Sequence, residues 1–155
     1  MAHAFVFPGQ GSQFTGMGKN LFDENDQAKK LFEEALKIQR NTQQEVKMME
    51  SIAHLGRVAL ALNDLSLADT CARHALNFIE SKGTQGIEHP AVVYLICYHI
   101  LHNDQKFEQA RSILLQGQQY IMAQVAQIDD LALQQTYLNN VPENQQIQAL
   151  VLAEK

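Results

Sequence analysis

From Asp26 onward, apolar residues return every three or four positions, the spacing that lines them along one face of an α-helix. The pattern predicts helices over Asp26–Gln44, Glu45–Leu62, Ser66–Ser81, Pro90–His102, Lys106–Ile128, Leu131–Asn139 and Glu143–Ala153. Polar or glycine-bearing breaks separate them at Asn63-Asp64, Lys82–Gly86, Asn103-Asp104 and Asp129-Asp130. Pro90 suits a first helical turn, where its missing N–H costs nothing. The start of the chain follows another pattern. Ala4–Phe7 is a short β-type run, stopped by Pro8-Gly9 and followed by a glycine-rich loop through Gly18. The expectation is an all-α protein with an irregular N-terminal arm, residues 1–22, ahead of a helical region, residues 23–155.

The helices also repeat. Aligned on Ala68 and Ala110, the residues Ile52, Leu55, Gly56, Ala59, Leu65, Ala72 and Ala75 correspond to Tyr94, Cys97, Tyr98, Leu101, Phe107, Leu114 and Gly117. Large apolar residues at such positions lock a helical hairpin, and small ones let its helices approach closely. Ala28, Phe32 and Ala35 fit the second helix of an earlier pair. The period is 40 and then 42 residues, from Ala28 to Ala68 to Ala110. The tail runs Ile128-Asp129-Asp130-Leu131, then Thr136–Pro142 and Asn144. Over roughly Glu45 to Ile147 the chain resembles the long-period tetratricopeptide arrays of large signal-transduction ATPases and of maltose-activator-type regulators. That resemblance implies a short α-solenoid of about three helix pairs whose concave groove binds a protein or peptide. On the repeat alignment the groove-facing candidates are Glu50, Arg57, Val92, Leu95, His99 and His102.

Composition narrows the function classes. The net charge is −5 and no Lys/Arg cluster interrupts it, so no phosphate-backbone footprint is expected and nucleic acid is not an expected partner. No run reaches the roughly 18 apolar residues of a membrane span, and Met1–Phe7 lacks the basic start and apolar stretch of a signal peptide. A cytoplasmic location is the expectation. Cys71 and Cys97 sit in apolar helical stretches without a CxxC and read as buried free thiols.

The arm has its own signature. Pro8-Gly9-Gln10-Gly11-Ser12-Gln13, with Gly16-Met17-Gly18 after it, resembles the opening of malonyl-CoA:acyl-carrier-protein transacylases, and the likeness runs from Phe5 to Ala35. It implies a strand and a loop entering an active site, with the backbone N–H of Gln10 helping to hold a tetrahedral oxyanion. The rest of that machinery is missing. The serines are Ser12, Ser51, Ser66, Ser81 and Ser112, none in the GxSxG elbow that would expose a nucleophile. No segment matches those that would carry the family's catalytic histidine or its substrate-binding arginine. An oxyanion donor without nucleophile or base makes no transferase. Ala28–Ala35 satisfies both patterns, as the transacylase's first helix and as the second helix of a repeat pair.

Two other stretches lack the chemistry of a site. The run GQGSQF is neither GxGxxG nor followed by GK[ST], so it is no phosphate cradle. His99 and His102, spaced i, i+3, lack a third ligand with fixed geometry, and no metal or cofactor is expected. The reading is a non-catalytic interaction or regulatory module. The alternative is a truncated or partner-completed transacylase relative in fatty-acid or polyketide synthesis. Pairing of Phe5–Phe7 between two copies is a third expectation, as an exposed strand invites it.

Overall fold

The computed structural model describes residues 45–154 and, apart from them, Lys30. The expected arm, with Gln10 and the Phe5–Phe7 run, and the rest of the helix expected over 26–44 lie outside the described residues. Six helices make up the described chain: α1 Glu45–Ala61, α2 Leu65–Lys82, α3 Pro90–Asn103, α4 Phe107–Val125, α5 Leu131–Asn140 and α6 Pro142–Ala153. Among the described residues there is no strand. The all-α expectation holds there.

Local chemistry sets the helix ends. The Asp64 side chain accepts from the Leu67 N–H at 3.1 Å and so caps α2. Asp130 does the same for α5, accepting from Ala132 and Leu133 at 2.7 and 3.0 Å. A side-chain oxygen there satisfies one of the amides that the first turn leaves without a helical partner. Pro90 and Pro142 open α3 and α6. Gly83, at φ 74°, ends α2 by donating its N–H to the Ile79 carbonyl at 2.8 Å. That left-handed backbone costs glycine little. Helix α4 stops at Val125 rather than the expected Ile128, because a turn intervenes in which the Ile128 N–H reaches the Val125 carbonyl at 3.0 Å.

The two hairpin turns repeat each other atom for atom. Asn63 and Gln105 both take left-handed backbone, at φ 59° and 60°. After them, the Asp64 N–H donates to Ala59 at 2.8 Å and the Lys106 N–H to Leu101 at 2.9 Å. Ala68 then donates to Asp64, and Ala110 to Lys106, at 3.0 and 2.9 Å. Every one of these pairs is offset by the 42 residues that separate Ala68 from Ala110 in the alignment. Both alanines are fully buried.

Helix α3 is the axis of the assembly. It packs against α1, α2, α4 and α6, while α5 packs mainly on α6. Ten of its residues are buried, including Val93, Tyr94, Ile96, Cys97 and Ile100, which join the core made with α1 and α2. Leu95, Tyr98 and Leu101 join a second core with α4 and α6. A helix apolar all round is the sequence form that such a central position requires. Close approach is visible at Gly56, where an added Cβ would lie 2.8 Å from the Cys71 Cβ. Leu65 and Phe107 depart from the expectation that they lock the hairpins: they are 37% and 55% exposed. The Phe107 ring instead meets His102 edge-on, with centroids 5.1 Å apart.

Polar ties join the hairpins. Lys106 donates to Asp69 of α2 at 2.6 Å and also pairs with Asp104 at 2.8 Å, while Arg73 holds the other Asp69 oxygen at 2.9 Å. The Lys106 hydrogen bond, with the nearby cations, keeps the Asp69 carboxyl below its usual range. Tyr98 donates to Glu154 at 2.7 Å and so ties the end of α6 to α3.

Candidate functional site

Helices α1 and α6 each pack along α3 and make no extended contact with one another. The gap between them leaves a groove of about 220 Å³ with α3 as its floor. Arg57 and Leu60 come from α1, Val92, Leu95, Ile96 and His99 from α3, and Pro142, Glu143 and Gln146 from α6. The register of α3 explains its share. Val92, Leu95, Ile96 and His99 fall at i, i+3, i+4 and i+7, a single stripe down one face. The same stripe is apolar until His99, so polarity is confined to one end and to the walls.

Burial holds two histidines, His99 in the groove and His54 on α1, toward the neutral form. His99 is half-buried, and the Gln146 Nε2 amide donates to its Nε2 at 3.3 Å, so the neutral ring carries its proton on Nδ1. Burial, aided by the nearby His102, lowers its pKa. His54, one turn before Arg57 on α1, has a buried Nδ1 without a hydrogen-bond partner. Burial pushes His54 down to about 4, with the Arg57 and His89 charges adding to the effect. A neutral imidazole is the form a desolvated site favours.

Of the six groove candidates, the structure brings Arg57, Val92, Leu95 and His99 together. It does not bring Glu50 or His102 to them. The Glu50 carboxylate accepts from the His89 N–H at 2.6 Å and so anchors the linker before α3. The His102 ring lies tilted against Tyr98 and edge-on to Phe107, centroids 5.6 and 5.1 Å away. His102 lies nearly a turn beyond His99 toward the end of α3, past the residues that line the groove. Leu60 and Ile96 were legible in principle, since each neighbours a candidate at helical spacing. The α6 wall was not, because nothing in the tail's pattern says which helix it packs on.

The cysteines carry no visible chemistry. Cys71 and Cys97 are both buried free thiols, and burial pushes them up to about 11 and about 12. Thiols so far from ionisation are poor nucleophiles. Among the described residues no group of three or more His, Cys, Asp or Glu is arranged to hold a metal ion. No helix among them is long and apolar enough to cross a membrane.

Comparison with known proteins finds likeness over a short stretch. A 32-residue segment, 21% of this chain, is 66% identical to a malonyl CoA-acyl carrier protein transacylase of Bacillus subtilis strain 168. A second transacylase of that name from Bacillus subtilis is also 66% identical over 32 residues. The chain spans only about a tenth of the length of these curated relatives, 10% of one and 8% of the other. The match supports the transacylase resemblance of the N-terminal segment. No family model matches the chain, and no solved structure matches it.

Proposed function

We propose that the helical region is a non-catalytic interaction module, a short tetratricopeptide-like solenoid whose groove between α1, α3 and α6 receives a peptide segment of a partner. The observation that carries this is the open, apolar-floored groove built jointly by three helices. The recurrence of one hairpin turn at a 42-residue offset supports the repeat reading. Size favours a side chain over a cofactor. At about 220 Å³ the groove is smaller than the roughly 300–1,000 Å³ usual for small-molecule sites, and it suits one or two apolar anchors. A preformed surface of this kind binds with little ordering cost to the receptor, and its polar walls fix register.

Peptides selected by display on the immobilised full chain test the reading. Selected peptides should shift the backbone amides of Val92, Leu95 and Gln146, and Val92→Arg should abolish their binding while leaving the helical content unchanged. Peptides that bind the Val92→Arg chain as well as the parent would place the interaction elsewhere and overturn it.

A second reading is favoured by the 66% identity to the Bacillus transacylases: a transacylase relative completed by another chain, with Gln10 as its oxyanion-loop residue. It predicts a malonyl adduct on incubation with malonyl-CoA, visible by intact mass. The want of a GxSxG serine argues for an unmodified mass instead.

A further inference from the structure

Three of the residues that α3 gives the groove floor are aliphatic, and the fourth, His99, can take up a proton. Its Nε2 accepts from the Gln146 amide at 3.3 Å, so a second proton on the ring would set donor against donor. The ring also lies edge-on to Tyr98, centroids 5.1 Å apart, and the Tyr98 hydroxyl is committed to Glu154. Burial holds His99 toward its neutral form, and the nearby His102 adds to the effect. Few other charged or titratable groups face it among the described residues. Arg57 on the α1 wall and Glu143 on the α6 wall carry opposite charges, and His54 of α1 stays neutral down to about pH 4. Helices α2 and α4 pack on other faces of α3 and give the groove no residue.

We propose that His99 puts the groove under proton control: it receives an apolar segment while the ring is neutral and releases it when the ring is charged. The inference rests on the reading of the groove as a partner surface, and it adds the regulation of that surface. A leucine-like side chain seated on Val92 and Leu95 lies one turn from His99. It takes water from the part of the ring that is still exposed. That loss costs the charged imidazolium far more than the neutral ring. The occupied groove therefore holds the proton less tightly than the empty one. Affinity is complete above the titration of the free His99 and declines below it, by at most about tenfold per pH unit. It levels off once the occupied form also takes up the proton.

A capped hexapeptide with two central leucines between serines tests it, since the peptide itself does not titrate. It is added to the full-length chain at pH values from about 7.5 to about 5.5, a range that spans histidine titration. Backbone amide and imidazole signals are followed, and helical content is checked at each pH. The expected result is shifts at Val92, Leu95 and Gln146, with affinity roughly threefold weaker at the acid end. The His99 ring should titrate at lower pH with the peptide than without it. His99→Gln should flatten the decline and His102→Gln should keep it. Gln146→Glu, which offers the charged ring an acceptor, should move the decline to higher pH. A flat profile with the same residues shifting, or a decline that persists in His99→Gln, would overturn the proton control and leave the groove reading standing. Shifts confined to other surfaces, or none at the peptide's solubility limit, would overturn both.

Discussion

At the scale of single residues, two glycines and one histidine show how close the packing runs. An alanine Cβ at position 56 would approach the Cys71 Cβ to 2.8 Å and the Ile100 Cδ1 to 3.0 Å. The isoleucine end can swing away, but the Cys71 Cβ is fixed to the α2 backbone. Gly56→Ala should therefore lose about 1–3 kcal/mol to overpacking, against a helix-propensity gain of about 1 kcal/mol or less. At Gly117 the nearest atom is the Tyr94 Cβ at 3.1 Å, so the two effects come closer to cancelling. Thermal melts should show Gly56→Ala below the parent and Gly117→Ala between them; the reverse order would refute the packing. His54 makes stability depend on pH. Its folded pKa of about 4 lies below the ordinary histidine value of 6.5, so the unfolded chain takes up the proton first as pH falls. Stability should be complete above about pH 6.5, decline toward pH 4 and level off below, by on the order of 3 kcal/mol. His54→Leu should flatten that decline in urea melts run across the same range, and an unchanged slope would assign the effect to other groups.

At the scale of elements, helices α1 to α4 and α5 are held by different means. The first four bury continuous apolar faces, whereas α5 buries no residue and is fastened by side chains of its neighbours. Asn144 of α6, 1% exposed, donates to the Tyr137 carbonyl at 2.9 Å, and Gln148 donates to Leu138 at 3.0 Å. Hydrogen exchange should find α5 opening first, as few buried contacts resist it. Asn144→Leu should speed exchange in α5 and leave α3 unchanged, with a loss of about 1–3 kcal/mol from the orphaned carbonyl. Equal acceleration in both helices would mean that α5 is not a separate unit. This division also marks what the sequence reveals. Helix positions were legible because Asp64, Asp130, Pro90 and Pro142 signal helix starts locally, and the expected ends fall within a few residues of those observed. Four groove residues were legible because the repeat alignment fixes a face. Glu50 was not, since its partner lies 39 residues away in a linker without periodicity. The His102 ring packs on Phe107 in the next helix, a contact that the repeat alignment does not signal.

At the scale of the whole molecule, a short transacylase-like segment and a region of packed helices share one chain. Its transacylase-like segment covers about a fifth of the length and carries no nucleophile elbow. The described helices, by contrast, make an apolar-floored groove from three elements. The functional reading accordingly places binding in the helical region and none of it in residues 1–22. The most direct measurement is the affinity of one display-selected peptide for the full chain and for a chain lacking residues 1–22, side by side under identical buffer. The interaction-module reading predicts the same affinity within about twofold, less than half a kcal/mol. A loss of tenfold or more would contradict it and return the transacylase-like segment to the binding site.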